Sequence, residues 1–355
     1  MSRLNVAIVG LGHGKAHLDA YAALPGLYRV VALCDLDRAR AQAAVAGHGG
    51  IDVETDYDRL LARADIDVVN ICTPPNLHFA MVSKALAADR HVVCEKPLVG
   101  SLADCDAHIE QQRHAQGRIV PIFQYRFGHG VQKLKRLVEQ GIAGKAYLAT
   151  IETSWRRDAD YYSVPWRGKY ASEMGGVCLS QAIHAHDMLN FILGPSASVF
   201  ARTATRVNPI EVEDCAAASL LMADGSLATL SATLGAAVNL SRLRFMFANL
   251  TAESASPEPY RPGKDPWHFT GKTPEIDARI KETLAGFKPG HESFEGQFEA
   301  MHMGLSDADA PLPVTLADAR RSLELITAIY HSAHAGSAVN LPMDAGHPKY
   351  GGWTP

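Results

Sequence analysis

Short apolar runs alternate with helix-like segments between Asn5 and about Phe123, and this alternation constrains the fold more than any other feature of the chain. The runs read NVAIVG, RVVALCD, DVVNIC, HVVCEK and RIVPIF. Repeated strand, helix, strand units predict a parallel sheet with helices on both faces. The runs lack polar alternation, as expected for strands that are covered on both sides. We therefore predict an α/β fold with a doubly wound parallel sheet in this part of the chain.

The pattern changes after Arg126, where apolar and polar residues begin to alternate. Alternation predicts strands with one buried side and one exposed or ligand-facing side. The expected strands include one with Tyr147, Ala149, Ile151 and Trp155 on its buried side, and three more near 198–206, 212–222 and 226–233. Asp224-Gly225 predicts a tight hairpin between the last two. We expect a largely antiparallel sheet, and we interpret residues 251–291, rich in Pro, Gly and charge, as a long surface excursion.

The chain has 355 residues, and at roughly 150 residues per domain this length favours two domains. We predict one domain over residues 1–125, a second over 126–345, and a tail over 346–355. Capping boxes mark two helix starts, Ser101 with Asp104 and Thr315 with Asp318.

Composition excludes several classes of protein. The 34 basic and 38 acidic residues give a net charge of −4 without a long basic run, so nucleic acid is not an expected partner. The first apolar stretch is too short for a signal peptide, and no later stretch reaches the roughly 18 apolar residues of a membrane span. The six cysteines show no CxxC spacing, which argues against zinc and disulfides. We expect a soluble protein of the cytoplasm with no membrane partner.

A glycine-rich turn follows the first predicted strand and opens a helix. It contains Gly10, Gly12, His13 and Gly14, the context in which backbone amides hold a pyrophosphate at a helix N-terminus. Asp35 ends the second strand, where a carboxylate accepts hydrogen bonds from the adenosine ribose. The alternative is a simple glycine turn with a helix-capping aspartate.

The same aspartate bears on the choice of dinucleotide. A carboxylate repels a 2′-phosphate, so NAD is favoured over NADP. Arg38 and Arg40 follow closely and could turn toward a phosphate, although surface arginines are usually only solvated.

Two further segments follow predicted strands, at the edge where doubly wound sheets bind ligands. They contribute Thr73, Pro74, Asn76 and His78 from CTPPNLH, and Glu95 and Lys96 from EKP. A lysine at the end of an apolar strand can reach into the cleft with its charge partly desolvated. The alternative is a proline-stiffened turn and a surface lysine with its acidic neighbour.

A third candidate site lies in GGVCLSQAIHAHD, residues 175–187. His184 and Asp187 are three apart and share a helix face, whereas His186 projects elsewhere. The two histidines cannot converge easily on one ion, so we expect no metal. A buried structural histidine is the alternative for either residue.

These motifs, in this order, resemble the glucose-fructose oxidoreductase and inositol 2-dehydrogenase family, Gfo/Idh/MocA. The likeness rests on GLGHGKAH, the aspartate after the second strand, CTPPNLH, EKP, FQYRF, PWRG, GGVCLSQAIHAHD and PLPVTLADARRSLELITAIYHSA. The resemblance implies a Rossmann domain and a C-terminal α/β domain, which binds the substrate and whose open, mainly antiparallel sheet often forms the oligomer interface. It also implies a nicotinamide cofactor, sugar, cyclitol or polyol substrates, and a homodimer or homotetramer.

The resemblance carries residue roles over to this chain. Lys96 and His184 are expected to flank the reacting carbon as the catalytic pair. Ser180 stands where the family often has an aspartate, and it cannot stabilise an imidazolium by charge. The remaining implied contacts are Gln124, Trp166 and Arg167 toward the cofactor, and Arg126, Tyr161, Gln181 and Asp187 toward substrate hydroxyls.

The expected activity is an NAD-dependent oxidoreductase that transfers a hydride between a carbinol carbon and nicotinamide. Lys96 acts either as a base, with a pKa held near 7 to 8 by burial, or as a cation that stabilises an alkoxide. Two alternatives come from the same superfamily. One is an NAD-dependent glycosidase that oxidises its sugar only transiently, and the other is a cofactor-binding regulator without turnover.

Overall fold

The five apolar runs of the N-terminal part and one strand that the sequence did not predict, Asp52–Glu54, form a six-stranded parallel sheet. Its strands are β1 (Leu4–Val9), β2 (Tyr28–Cys34), β3 (Asp52–Glu54), β4 (Val68–Ile71), β5 (His91–Cys94) and β6 (Ile119–Pro121). The order β3-β2-β1-β4-β5-β6 reverses direction beside β1, which places a switch point between β1 and β4. Doubly wound sheets bind ligands at such a point, outside the carboxyl ends of the strands.

Helices connect these strands, as expected for all of them except the short helix Tyr57–Leu61. They are α1 (Leu11–Ala22), α2 (Arg38–Val45), α3 (Tyr57–Leu61), α4 (His78–Ala87) and α5 (Leu102–Arg113). The Ser101 hydroxyl accepts a hydrogen bond from the Asp104 amide at 3.0 Å, so the predicted cap of α5 is present. The doubly wound α/β fold predicted from the sequence is therefore confirmed.

The computed structural model describes residues 2–353. The chain divides into two compact units, one comprising Met1–Ile122 with Phe294–Arg320 and the other Phe123–Ser293 with Arg321–Pro355. In the described residues, no helix is long and apolar enough to cross a membrane.

The second unit is built on an eight-stranded sheet in the order β13-β12-β11-β7-β10-β9-β8-β14. Its strands are β7 (Ala146–Arg156), β8 (Ser196–Ala204), β9 (Cys215–Met222), β10 (Leu227–Thr233), β11 (Gly235–Phe247), β12 (Leu250–Ser256), β13 (His268–Gly271) and β14 (Val339–Asn340). The expected Asp224-Gly225 hairpin joins β9 to β10, and the sheet is antiparallel except where β10 runs parallel to β7. Its helices are α6 (His129–Glu139), α7 (Ala159–Tyr162), α8 (Val177–Ser180), α9 (Ile183–Leu193) and α10 (Pro274–Ala285).

Two expectations for this unit were wrong. Tyr147 is 53% exposed, although Ala149, Ile151 and Trp155 of the same strand are buried. The segment 251–291 is not simply a surface excursion, because most of β12, together with β13, belongs to the eight-stranded sheet and the helix α10 also lies in this segment. The buried positions of β12 include an alanine and a serine, so its alternation carries little apolar signal.

Two helices follow, α11 (Ser293–Ser306) and α12 (Leu316–Ala335). α11 lies almost wholly in the first unit, where the Phe298 ring stacks on Tyr21 at 4.1 Å and its carbonyl accepts from the Tyr28 hydroxyl. The Thr315 hydroxyl and amide both lie within hydrogen-bond distance of the Asp318 carboxylate, so the predicted capping box of α12 is present.

Candidate active site

The glycine turn at the end of β1 has the shape that a dinucleotide requires. Gly10 has a φ of 86°, and a Cβ there would approach the Cys72 carbonyl oxygen to 2.8 Å. A Cβ on Gly12 would meet nothing within 4 Å, so the backbone is open to a ligand at this point. Gly14 packs against Ile8, where a Cβ would come within 2.9 Å. Tight turn, close ligand approach and close helix packing are the three tasks of glycines in a dinucleotide-binding turn.

Asp35 lies directly beyond β2 and is only 8% exposed. Its Oδ2 accepts a hydrogen bond from the Leu11 amide at 2.7 Å, and its Oδ1 accepts one from the Asp37 amide at 2.9 Å. These bonds fix the carboxylate beside the start of α1. Arg40 lies 3.5 Å from Asp35 and 3.6 Å from Asp37, so its guanidinium is engaged by carboxylates in this structure.

The neighbouring Leu36 is a candidate cofactor contact that the sequence did not reveal. Its side chain is 93% exposed, which is unusual for a leucine that directly follows the carboxylate of such a turn. An adenine ring would cover an apolar surface of this kind. In the sequence, the only indication of this contact is that an apolar residue stands between Asp35 and Asp37.

Replacing Asp35 with serine should weaken NAD binding by about tenfold to a hundredfold, since hydrogen bonds to a charged group contribute about 1.5–3 kcal/mol. NADP binding should not weaken, because the repulsion of its 2′-phosphate is removed as well. Isothermal titration of both dinucleotides against both proteins measures the change. A wild-type protein that prefers NADP would contradict this role.

The loop after β4 contains four of the predicted cofactor contacts, and they differ in how far they are buried. Thr73 and Pro74 are half-buried, whereas Asn76 is exposed in the 3₁₀ turn Pro75–Leu77. His78 is fully buried, with its ring nitrogens 2.8 Å from the Pro97 carbonyl and 2.9 Å from the Thr73 carbonyl. It thus links this loop to the loop that contains Lys96.

The loop after β5 is held by a buried ion pair that sequence reasoning missed. His17 on α1 lies 3.0 Å from Oε1 of Glu95, and Oε2 of Glu95 accepts from the Lys96 amide at 3.0 Å. Burial acts to raise the pKa of Glu95, but the hydrogen bond from His17 and the charges of His13, His17 and Lys96 hold it well below its ordinary value. Both carboxylate oxygens are used, so Glu95 fixes the backbone of Lys96.

In the second unit, Glu213 organises the glycine-rich segment that precedes His184. Its carboxylate accepts hydrogen bonds from the amides of Gly176 and Cys178 and from the Tyr330 hydroxyl, each at 2.9 Å. A Cβ on Gly176 would overlap the Glu213 carbonyl oxygen, so this position requires glycine. Glu213 lies far from the motif in sequence, and no local pattern indicates its role.

His184 and His186 are both buried on α9. The His184 ring stacks on Tyr125 at 4.3 Å with an interplanar angle of 24°. Burial lowers the pKa of His186 to about 4, so this side chain is neutral near pH 7. Among residues 2–353, no group of three or more His, Cys, Asp or Glu side chains is arranged to hold a metal ion.

Arg126 and Asp187, both predicted as substrate contacts, form an ion pair with each other. Their side chains form a bidentate pair with N–O distances of 2.7 and 2.6 Å, at only 4% and 1% side-chain exposure. The Arg126 guanidinium also lies 5.0 Å from the Phe191 ring centroid. The pair therefore anchors the 3₁₀ turn Gln124–Phe127 to α9.

The other predicted residues of this unit form one polar network. Arg167 lies between the rings of Tyr161 and Trp166, with its guanidinium 3.9 and 4.4 Å from their centroids, and it donates to the Tyr161 hydroxyl. The Gln181 amide donates to the same hydroxyl at 2.8 Å. The side-chain oxygens of Gln181 and Gln124 are buried and have no hydrogen-bond partner within the chain. Buried polar atoms are nearly always paired, so these two oxygens are candidates to accept bonds from a ligand.

Two family models match the chain. A model described as an oxidoreductase family with an NAD-binding Rossmann fold matches residues 4–123, and the model of the GFO/IDH/MocA C-terminal domain matches residues 131–253. The chain belongs to the Gfo/Idh/MocA oxidoreductase family. Its first unit is accordingly an NAD-binding Rossmann fold, and the predicted family and cofactor are confirmed.

Several known dehydrogenases are similar to this chain. D-glucoside 3-dehydrogenase of Escherichia coli is 25% identical over 365 residues, covering 96% of this chain and 98% of that protein. Myo-inositol 2-dehydrogenase of Thermotoga maritima is 30% identical over 192 residues, covering 54% and 55%. The crystal structure of the WlbA dehydrogenase from Bordetella pertussis, in complex with NADH and UDP-GlcNAcA, has a TM-score of 0.84 at 28% identity, covering 97% and 100%. The chain spans 65% and 63% of the lengths of two uncharacterized oxidoreductases, from Bacillus subtilis and Synechocystis.

Proposed function

We propose that this protein is an NAD-dependent dehydrogenase or reductase that acts on a CH–OH group of a sugar, cyclitol or related polyol. The observation that carries the proposal is the position of Lys96, which follows β5 at the same edge of the sheet as the glycine turn and Asp35. A cation at that edge is placed where a dinucleotide-binding sheet presents its cofactor. The sugar and polyol dehydrogenases among the relatives support this substrate class.

The residues present fit NAD. The open backbone at Gly12 and the start of α1 suit the pyrophosphate, and the fixed carboxylate of Asp35 suits the adenosine ribose. Further proposed cofactor contacts are Thr73, Pro74, Asn76 and Lys96 after the strands, together with Gln124, Trp166 and Arg167. The buried side chains of His78 and Glu95 are already bonded within the chain and hold these loops in place. When bound, NAD supplies a two-electron acceptor for the carbinol carbon.

In this proposal Lys96 and His184 handle the proton of the substrate hydroxyl. One of them accepts this proton, and the other donates a hydrogen bond to the oxygen as it gains negative charge. The Glu95 carboxylate, through the Lys96 amide, holds the backbone of the lysine. Tyr161 and Gln181 are proposed to orient the other substrate hydroxyls, with the Gln181 side-chain oxygen as an acceptor. Arg126 and Asp187 shape the site as a pair.

Purified protein incubated with NAD and a panel of aldoses, glycosides, inositols and sugar acids tests the proposal by NADH absorbance. We expect NADH formation with one chemical group of the panel. Release of free sugar without net NADH would indicate a glycosidase. NAD binding without turnover in either direction would indicate a regulator, and either result would overturn the proposed activity.

The domain assignment follows from this activity. We propose residues 1–125 as the dinucleotide-binding domain, residues 126–345 as the substrate-binding and oligomerisation domain, and residues 346–355 as a tail. The segment 294–320 is an exception, because it lies in the first compact unit. We propose a cytoplasmic protein, in keeping with six thiols that all lack disulfide bonds in the structure.

The outward face of the eight-stranded sheet is the proposed surface for a second copy of the chain. Leu227 and Leu221 are register partners on β10 and β9, and both are about half exposed at 54% and 44%. Phe200 on β8 pairs with Ser219 on the same face and is 39% exposed. Ser219 lies between Leu221 and Phe200 on this face, and the Arg202 guanidinium lies 4.9 Å from the Phe200 ring. An apolar patch with a polar rim of this kind suits an interface between two copies.

Replacing Leu227 with arginine should lower the assembly size, because a charge would be desolvated in the interface. Light scattering coupled to size-exclusion chromatography gives the mass of both proteins. We expect a homodimer or homotetramer for the wild type and a smaller species for the variant. A monomeric wild type, or an unchanged mass for the variant, would contradict this interface.

A further inference from the structure

The His17 side chain is fully buried in the first unit, and both of its ring nitrogens face hydrogen-bond acceptors. Nε2 lies 3.0 Å from Oε1 of Glu95, and Nδ1 lies 3.0 Å from Oδ1 of Asn70. An ionised carboxylate and an amide oxygen accept hydrogen bonds and donate none. An imidazole with an acceptor at each nitrogen can bond to both only when both nitrogens carry a proton, which makes the ring a cation.

The other contacts of Asn70 agree with this orientation of its amide. The Tyr21 hydroxyl donates to Oδ1 of Asn70 at 3.0 Å, and Nδ2 of Asn70 donates to Sγ of Cys72 at 3.0 Å. Burial raises the pKa of the Tyr21 hydroxyl and that of the Cys72 thiol, so both groups are neutral near pH 7. The Asn70 oxygen therefore accepts from Tyr21 and from His17, while the amide nitrogen faces the sulfur.

Two further titratable groups lie close to the Glu95 carboxylate and are neutral near pH 7. Burial lowers the pKa of His78 and raises that of the Cys94 thiol well above its ordinary value. His13, also on α1, lies 3.9 Å from Oε1 of Glu95, and its side chain is largely exposed. A buried charge requires a counter-ion, and Glu95 is the negatively charged group that the structure places against His17.

The helix α11 adds no charge on the remaining side of the His17 ring. The Phe294 and Phe298 rings lie with their centroids 4.4 and 5.4 Å from that of His17. These apolar rings exclude water, which strengthens the attraction between the two buried charges. Burial acts to lower the pKa of His17, but its neighbours Cys72 and Glu95 raise it well above its ordinary value. Since the Cys72 thiol is neutral near pH 7, the compensating charge is that of Glu95.

We propose that His17 is a positioning residue that stays doubly protonated at neutral pH and balances the charge of Glu95 next to Lys96. The proposal rests on the proposed function, in which Lys96 handles the substrate proton, and it deepens that function. Oε2 of Glu95 accepts from the Lys96 amide, so the carboxylate is needed to hold the lysine backbone. An unbalanced carboxylate so close to a lysine would favour its charged form and oppose release of the proton. With its charge balanced by His17, Glu95 can hold the backbone of Lys96 without fixing the proton on the side chain.

The protonation of His17 can be measured in the wild-type protein without substrate. Nitrogen-15 spectra of histidine-labelled protein, with the His17 signals assigned from a His17→Gln variant, show whether each ring nitrogen carries a proton. We expect both nitrogens of His17 to be protonated at pH 7 and to remain so at pH 8. An unprotonated ring nitrogen at pH 7 would overturn the proposal, and would mean that Asn70 presents its amide nitrogen to His17.

The effect of His17 on Lys96 is measured by titrating the lysine. Carbon-13 spectra of protein labelled at the lysine Cε, with the Lys96 signal assigned from a Lys96→Arg variant, follow its protonation against pH. We expect His17→Gln to raise the Lys96 pKa by about half a unit to one unit, because Glu95 then acts on Lys96 without a balancing cation. The double substitution His17→Gln with Glu95→Gln removes both charges and should return the Lys96 pKa to its wild-type value.

An exposed histidine provides the matched control. His114 lies 3.0 Å from Glu110 on the surface of α5, and His114→Gln should leave the Lys96 pKa unchanged. An unchanged Lys96 pKa in folded His17→Gln protein, or a pKa that stays raised in the double variant, would overturn the proposal even if the enzyme is an active dehydrogenase. The expected pKa values in a protein without turnover would support the charge balance and refute only the proposed function.

Discussion

Replacing Lys96 with alanine is expected to lower kcat/KM by about 10² to 10⁴, the usual contribution of a positioned acid or base. In the proposed mechanism, the Lys96 side chain is the one potential cation that the Rossmann unit contributes at the substrate oxygen. Without it, the substrate oxygen loses either its proton acceptor or the cation that stabilises the developing alkoxide, whichever of the two roles Lys96 has. Steady-state kinetics with the substrate found in the panel measures the loss.

Two controls make this result specific to the chemistry. NAD affinity should be retained in Lys96→Ala, because the glycine turn and Asp35 are untouched. The surface variant Lys84→Ala, which removes only an exposed pair with Asp58, should keep wild-type kinetics. Full turnover in Lys96→Ala would exclude the assignment of this residue.

Replacing Asp187 with asparagine should destabilise the protein by about 3–5 kcal/mol, because it leaves the Arg126 charge buried without a counter-ion. The pair is almost fully removed from solvent, and its guanidinium is confined by bidentate geometry and by the Phe191 ring. Ser322 also donates to the Asp187 carboxylate at 3.3 Å, and this contact would weaken. Denaturant unfolding followed by circular dichroism measures the change.

A matched exposed pair provides the comparison. Glu253 and Arg242 are bonded at 2.9 Å on the sheet of the same unit, with side chains 29% and 49% exposed. Glu253→Gln should cost no more than about 1 kcal/mol, as is usual for exposed pairs. Equal losses of stability in the two variants would contradict this prediction. They would show that burial does not determine how much the Arg126–Asp187 pair contributes to the free energy of unfolding.

The features that were predictable from the sequence are local ones. The glycine turn and Asp35 directly follow a strand, and Lys96 follows one after a single residue, so their position at one sheet edge follows from the strand, helix, strand pattern alone. The capping boxes at Ser101 and Thr315 are likewise set by residues three apart.

The features that escaped prediction depend on contacts between distant residues. Glu213 reaches the amide of Gly176 from another part of the chain, and His17 reaches Glu95 across the sheet. Hydrophobic periodicity carries no information on such polar contacts. Ser180 shows the same limit, since its hydroxyl donates to the carboxylate of Glu173, seven positions earlier in the chain.

The most direct test of the proposed activity follows a deuterium atom. The substrate identified in the panel, deuterated at the carbinol carbon, is incubated with NAD and enzyme, and the reduced cofactor is analysed by mass spectrometry and NMR. A dehydrogenase yields one deuterium at C4 of the nicotinamide per molecule of ketone formed. Free sugar with no labelled reduced cofactor, or reduced cofactor without deuterium, would contradict the proposed activity.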